Sequence, residues 1–488
     1  MPALHKDSKL KGALTVQNAA PPTADSPKKQ SKPFKKTPPD PTAGLSISHP
    51  NAAAIDVGGD THWVALPPDR APKPVRTFGC FTTDLEALAD WLVEHRIDTV
   101  VMESTGIYWV ILYEILEQRG LTVFLINARL AKKLLSRKTD LLDCQWLQRL
   151  HAYGLLNNSF RPPEEIRVLR SYLRLRERVV GAASQSVQHM QKALTEMNVQ
   201  LSTVISDITG ETGLRIIDAI LAGERDGQKL ATLKDRRIKA SEQTLTQALR
   251  GHWKDEQLFA LEQARLTWAH HQLQIAQCQD RIDAQLRAMN AEPPAAEKTT
   301  DKAAPGDSAA PSSEAPPKPA PAFCLREQLK QLAGADLVSI DGIGVLTAQI
   351  VVSEVGTDMT PWPTEKHFSS WLALCPEHEI SGGKILKRGR RRKVSQRAAQ
   401  ALRMSAYGLE RSNSALGAKY RRLKRRLGAP KAIVAMAHHL ARLVYRLLKH
   451  GQDYVDKGAA WYEARYQAQR LKWLQKQAQE LNLKLVPA

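Results

Sequence analysis

At 488 residues, with 70 Lys+Arg against 50 Asp+Glu and a net charge of +20, the chain is long enough for two or three domains and basic enough to favour a polyanionic partner, DNA or RNA, because phosphates that meet Lys and Arg release their counterions. Five cysteines, scattered and without a CxxC pair, argue against a zinc module or a disulfide framework and fit a reducing cytoplasm. No apolar run reaches the roughly 18 residues of a membrane helix and no secretory apolar region opens the chain, so neither a membrane partner nor export is expected.

Residues 1–50 are rich in Pro, Lys, Ser and Ala, with Lys28-Lys29 and Lys35-Lys36. They cannot bury enough surface to fold alone, and read as a disordered basic arm that serves solubility or non-specific nucleic-acid contact. From 51 to 160 short strands alternate with helical stretches, the pattern of an α/β domain. Strands are expected at 52–57, 61–66, 75–80, 99–102 and 121–126, and the helix 82–95 carries Leu85, Leu88, Leu92 and Val93 as a stripe to lie on their sheet. Tyr108 and Trp109 either stack on a base or pack the core; packing is favoured, since aromatics on an apolar helix more often fill space.

Carboxylates end two of these strands. Asp56 closes a buried apolar run and is followed by Val57-Gly58-Gly59, and Glu103 closes Thr99-Val100-Val101-Met102 in the same manner. A turn or capping role accounts for many such residues. A third stretch, Lys138-Thr139-Asp140-Leu141-Leu142-Asp143, opens a helix with Thr139 as N-cap and two acids at i and i+3 on one face. Asp140 is open to a second reading as a first-turn acid that suits the helix dipole. Four acids converging from two strands and a helix would repel unless a cation neutralised them, and hard oxygen ligands favour Mg2+ or Mn2+. A phosphodiester is the substrate such an ion suits.

Pro162-Pro163 ends this region, and 161–290 has another period. Val180, Ala183, Val187, Met190, Leu194, Met197, Leu201, Val204 and Ile208 alternate spacings of three and four, an a/d seam, while Leu261, Trp268, Ile275, Ile282 and Met289 fall seven apart. Two coiled-coil helices are expected, paired within one chain or between subunits. His270-His271 are adjacent and point apart, which disfavours a metal site. Residues 291–322 are Ala, Pro, Ser and charge without periodicity, a flexible linker.

The last region, 323–488, opens with Leu337-Val338-Ser339-Ile340-Asp341-Gly342-Ile343-Gly344 before a helix, which resembles a helix-hairpin-helix turn. Next, 376–384 (PEHEISGGK) reads as a polar loop, followed by a dense cationic run, Lys387, Arg388, Arg390, Arg391, Arg392 and Lys393. That run, with Lys384, is either a solvated surface or a phosphate track. Ser381 beside Gly382-Gly383 sits on backbone free to approach a ligand closely, and the cations beyond it are suited to hold a phosphate under attack. The remainder is helical, with a basic face (Arg421, Arg422, Lys424, Arg425, Arg426) and an apolar one (Ile433, Val434, Leu440, Leu443, Val444, Leu447).

AIDVG at 54–58, MESTGIYW at 102–109 and KTDLLDCQWL at 138–147 together resemble the Asp-Glu-Asp-Asp tetrad of the DEDD insertion-sequence transposases, the insertion-sequence 110/1111 family. The resemblance extends over about residues 50–470, apart from the linker. It implies a RuvC-like, RNase H-fold domain at 51–160, a coiled-coil arm, and a mostly helical C-terminal transposase domain. Its tetrad falls on Asp56, Glu103, Asp140 and Asp143, its metal is Mg2+ or Mn2+, and its nucleophile maps onto Ser381. It further implies a cytoplasmic, nucleoid-associated DNA recombinase acting on donor and target DNA. A structured non-coding bridge RNA would guide it, and it would work as a homodimer or homotetramer. Two rivals remain: a RuvC-like nuclease in which water replaces the serine, and a non-catalytic nucleic-acid scaffold.

Overall fold

The computed structural model describes residues 44–127, 140–291, 324–390, 396–451 and 458–483, with the backbone alone at 140–142, 377–380, 385 and 387–390. Residues 1–43 of the expected basic arm, residues 292–322 of the expected linker, residue 323 and the cations Arg391, Arg392 and Lys393 lie outside the described residues. The chain divides after Ser159 into two compact units.

The first unit is built on a mixed five-stranded sheet. Its strands are β1 (Ala52–Val57), β2 (Thr61–Ala65), β3 (Val75–Gly79), β4 (Thr99–Glu103) and β5 (Thr122–Ile126), in spatial order β3-β2-β1-β4-β5. β1, β2 and β3 pair antiparallel, whereas β1, β4 and β5 run parallel. The β1–β2 turn requires glycine: a β-carbon on Gly58 would sit 2.3 Å from the Thr61 carbonyl oxygen, which accepts the Gly58 amide. Helices α1 (Thr82–Glu94) and α2 (Trp109–Gln118) cover one face, where Ile55, Val57, Val64 and Met102 meet Leu85, Leu88, Leu92, Leu112 and Leu116. Helix α3 (Asp140–Ala152) covers the other, where Cys144, Leu147 and Leu150 pack on Ala54, Ala65 and Val101. The small side chains of Ala54 and Ala65 let α3 approach closely enough for Cys144 Sγ–H to reach the carbonyls of Trp63 (3.0 Å) and Ala54 (3.4 Å), and for Gln148 Nε2 to reach that of Ala52 (3.0 Å). With both faces covered, β1 reads as a nearly continuous apolar run.

The second unit contains two long helices, α4 (Glu164–Glu196) and, after four shorter ones, α9 (Asp255–Asn290). They pair antiparallel within one chain, since Ile166 and Leu169 share a core with Ile282 and Leu286 while Met190 and Leu194 share another with Leu261 and Ala264. The seam expected to run through Ile208 stops early: α4 ends at Glu196 and Asn198 takes a left-handed φ of 56°. Met197, Leu201 and Ile208 instead join α5 (Leu201–Val204), α6 (Glu211–Leu221), α7 (Gly227–Ala231) and α8 (Glu242–Ala248) in a small helical core at the far end of the pair. The apolar spacing of three and four survives because these side chains are all buried, although they no longer share one helix.

At the other end lie α10 (Leu325–Ala333), α11 (Val345–Val355), α12 (Glu365–Trp371), the strands β6 (Glu377–Ser381) and β7 (Lys384–Arg390), and helices α13 (Arg397–Gly408), α14 (Ala415–Leu427), α15 (Ala429–His450) and α16 (Gly458–Glu480). Phe368, Tyr420, Leu440 and Val444 are fully buried in their common core, which also takes in Ile166 and Ile282 from the bases of the long helices. Gly342 in the turn before α11 has φ +89°, and a β-carbon there would strike Leu409 Cδ2 at 2.9 Å. Packing on α13 and its extension therefore accounts for that glycine directly.

Candidate active site

Asp56 and Glu103 are neighbours through strand register. Ile55 pairs with Met102 across β1 and β4, so the next residue on each strand is a carboxylate. Side chains alternate along a strand. Ala54 and Val101 belong to the α3-facing core, which puts Asp56 and Glu103, two residues further on, on that same face. Glu103 is buried and accepts a hydrogen bond from Thr105 Oγ1 at 3.0 Å, while Asp56 is half-buried.

Asp143 comes to this face from α3. It is half-buried and precedes Cys144, the residue that anchors α3 to β1 and β2. Burial pushes the Cys144 thiol well up from its ordinary value; backbone hydrogen bonds from Asp56 and Ala65 oppose this, and the negative charges of Asp56 and Asp143 add to it. One thiol thus senses both carboxylates. Asp140 is the first residue of the same helix, and only its backbone is described.

The donor set at this end of the sheet is carboxylate oxygen, the chemistry of a hard divalent cation. The soft Sγ atom of Cys144 has its proton directed to backbone carbonyls. Among the described residues no three His, Cys, Asp or Glu side chains are drawn close enough to enclose an ion by themselves.

Ser381 lies in the second unit. The expected polar loop is instead a tight β-hairpin: Ser381 pairs with Lys384, and Gly382 and Gly383 form the two-residue turn at φ +54° and +76°. Positive φ at both central positions is the turn whose twist suits a hairpin. Ser381 and Lys384 are exposed at its tip. Lys387, Arg388 and Arg390 follow along β7, where the backbone alone is described.

Two family models match these same regions. A transposase model of the DEDD type of the IS110 family covers residues 53–199, and the model of the Transposase IS116/IS110/IS902 family covers residues 335–421. The chain is a DEDD-type transposase of the IS110 family. A search of curated proteins finds no match. The first model contains Asp56, Glu103, Asp140 and Asp143, and the second contains Ser381. The transposase is accordingly an enzyme of DNA recombination whose partner is DNA, and DEDD transposases generally use divalent metal ions. Among the described residues no helix is long and apolar enough to cross a membrane.

Several residues beside the candidate site carry no motif of their own. Cys144 and Gln148 dock α3 on the sheet, and Thr105 holds Glu103. Their only sequence signal is position: Cys144 is next to Asp143, Gln148 lies five residues beyond it, and Thr105 lies two beyond Glu103. Tyr108 departs from its expected packing role: Trp109 is half-buried against the core, but Tyr108 is 53% exposed.

Proposed function

We propose that this transposase cuts and rejoins DNA through a covalent serine intermediate, with the carboxylates of Asp56, Glu103, Asp140 and Asp143 holding Mg2+ or Mn2+ beside the scissile phosphate. The observation that carries the reading is the pairing of β1 with β4, which sets Asp56 and Glu103 side by side on the face that Asp143 also approaches. The order of the five-stranded sheet, three antiparallel strands followed by two parallel ones, supports an RNase H-like, RuvC-like fold for this unit.

A divalent ion bound here supplies Lewis-acid polarisation of the phosphate. The chain's own residues do the remainder. Glu103, steadied by Thr105, and Asp56, fixed by strand pairing, offer oxygens at set positions. Ser381 Oγ loses its proton and attacks phosphorus; the phosphorus–O3′ bond breaks, and the departing 3′ oxygen takes up a proton. The products are a phosphoserine ester and a free 3′-hydroxyl, so that a second 3′-hydroxyl can reverse the step and join a new strand without ATP. Lys384 and the cations of β7 serve as the phosphate track.

A structured non-coding RNA is the proposed guide, consistent with a charge of +20 and with delegating sequence recognition to base pairing. Exposed Leu175, Val180, Leu266 and Leu273 along the two long helices support assembly into a dimer or tetramer.

Denaturing electrophoresis of the transposase incubated with magnesium, labelled donor DNA and the element's RNA tests the reading. A protein-linked DNA band that disappears in Ser381→Ala is expected. Nicked product without any adduct, equally abundant in Ser381→Ala, assigns the cut to water and overturns the serine step.

A further inference from the structure

Tyr108 bridges the two turns that follow the strand-end acids. Gly59 is three residues past Asp56 and Gly106 is three past Glu103, and opposite edges of the Tyr108 ring lie against them. A β-carbon on Gly59 would stand 3.6 Å from Cζ and one on Gly106 3.3 Å from Cε2. Gly106 also has φ +55°, which an L side chain adopts only with strain. The ring thus lies closely over Gly106, where a β-carbon would be crowded, and at ordinary contact distance over Gly59. Three residues of chain span at most about 10 Å, so the ring lies within a nucleotide or two of any phosphate held at Asp56 and Glu103.

The ring is not used up by these contacts. Tyr108 is 53% exposed, and its neighbours Ile107 and Ile111 are 79% and 54% exposed. An aromatic laid on glycine backbone, with two bare isoleucines beside it and the strand-end acids a few residues away, presents an apolar π surface. Bases have π faces, and stacking on an aromatic side chain tolerates any sequence.

We propose that Tyr108 is a stacking platform for an unpaired nucleobase of the DNA strand being cut or joined, with Ile107 and Ile111 flanking it. This rests on the reading that the carboxylates hold that strand's phosphate. Tyr108 acts as a positioning residue: it holds the base next to the phosphate and thereby the phosphate against the acids.

The test uses the full-length transposase, magnesium and a short single-stranded oligodeoxynucleotide carrying 5-iodouracil, irradiated and mapped by peptide mass spectrometry. A crosslink on Tyr108 is expected. Tyr108→Phe should keep it, and Tyr108→Leu should bind the oligonucleotide roughly 5- to 160-fold more weakly, the range for losing one base stack. Tyr108→Leu should also raise KM for donor DNA more than it lowers kcat and unfold at the wild-type temperature, since leucine still covers Gly59 and Gly106. Wild-type binding by Tyr108→Leu with no crosslink at Tyr108, while Asp56→Asn loses cutting, overturns the platform and leaves the carboxylate reading intact. A change in oligomeric size in Tyr108→Leu without a change in crosslinking assigns the patch to protein contact and also overturns it. Cutting retained by both Asp56→Asn and Glu103→Gln sinks the carboxylate reading itself, and with it the placement of the base.

Discussion

Asp56 and Glu103 are the last acidic step of two parallel strands whose preceding pair, Ile55 and Met102, is fully buried. Two carboxylates on adjacent strand ends of one face repel each other, and without a cation that repulsion opposes folding. Asp56→Asn and Glu103→Gln should therefore leave the metal-free protein as stable as wild type or slightly more so. They should also lower strand cutting by at least about a thousandfold, in line with the several kcal/mol that a positioned metal contributes to phosphoryl chemistry. Thermal unfolding and product formation, measured on the same preparations with and without magnesium, check both halves; a large loss of stability in either variant would show that the acids serve the fold.

The sheet and its acids were legible because the signal is local. β1, β2 and β4 are short β-compatible runs bounded by glycine or a polar turn, and in each the residue types change abruptly at the carboxylate or turn. The helical tip was not legible. Met197, Leu201 and Ile208 keep a heptad-like spacing, yet the left-handed Asn198 ends the helix, and spacing alone cannot register one residue's φ. The hairpin bearing Ser381 was missed for a different reason: its strands, Glu377–Ser381 and Lys384–Arg390, are mostly charged and lack the apolar alternation that marks a half-buried strand. The Gly-Gly pair at their junction was the available clue. Tyr108 escaped because a helix-start aromatic packs in most proteins, and its place against Gly59, which is remote in sequence, follows only from the pairing of the strands.

Cysteine reactivity tests how α3 is seated. Cys144 is fully buried with its proton directed to two carbonyls, whereas Cys80 and Cys324 are exposed. A thiol kept protonated and covered reacts slowly. Brief alkylation of the native transposase should label Cys80 and Cys324 and spare Cys144 until denaturant is added, as read by peptide mass spectrometry. Early labelling of Cys144 would mean that α3, and Asp143 with it, leaves the sheet readily.

The serine hairpin depends on its turn. Gly382 and Gly383 both have positive φ, and nothing lies within 4 Å of a β-carbon built on either, so backbone strain alone decides what they tolerate. Asparagine is the residue other than glycine that best accepts this conformation. Gly382→Asn should retain most of the covalent adduct, while Gly382→Val, at a local cost of about 1–2 kcal/mol, should lower adduct yield on the order of tenfold with an unchanged unfolding temperature. Equal yields from both variants would show that the hairpin tip need not hold Ser381 in one place.

His151 makes the first unit sensitive to acid. Its ring is fully buried under the sheet, with Nε2 3.0 Å from Thr99 Oγ1 and the ring of His49 stacked at 5.1 Å. Burial, reinforced by the charge of His49, lowers its pKa from 6.5 to about 4. A histidine whose folded pKa is depressed binds its proton more readily in the unfolded chain, so its contribution is complete above about pH 6.5 and is lost as pH falls from there towards 4. That linkage amounts to about 3 kcal/mol once both states are protonated. Urea unfolding of the transposase, followed by a probe in the first unit, should show stability falling across that window, and His151→Gln, which keeps a polar atom near Thr99 but does not titrate, should flatten the slope while costing stability at pH 7.5. A slope unchanged by the substitution would place the acid sensitivity on other groups.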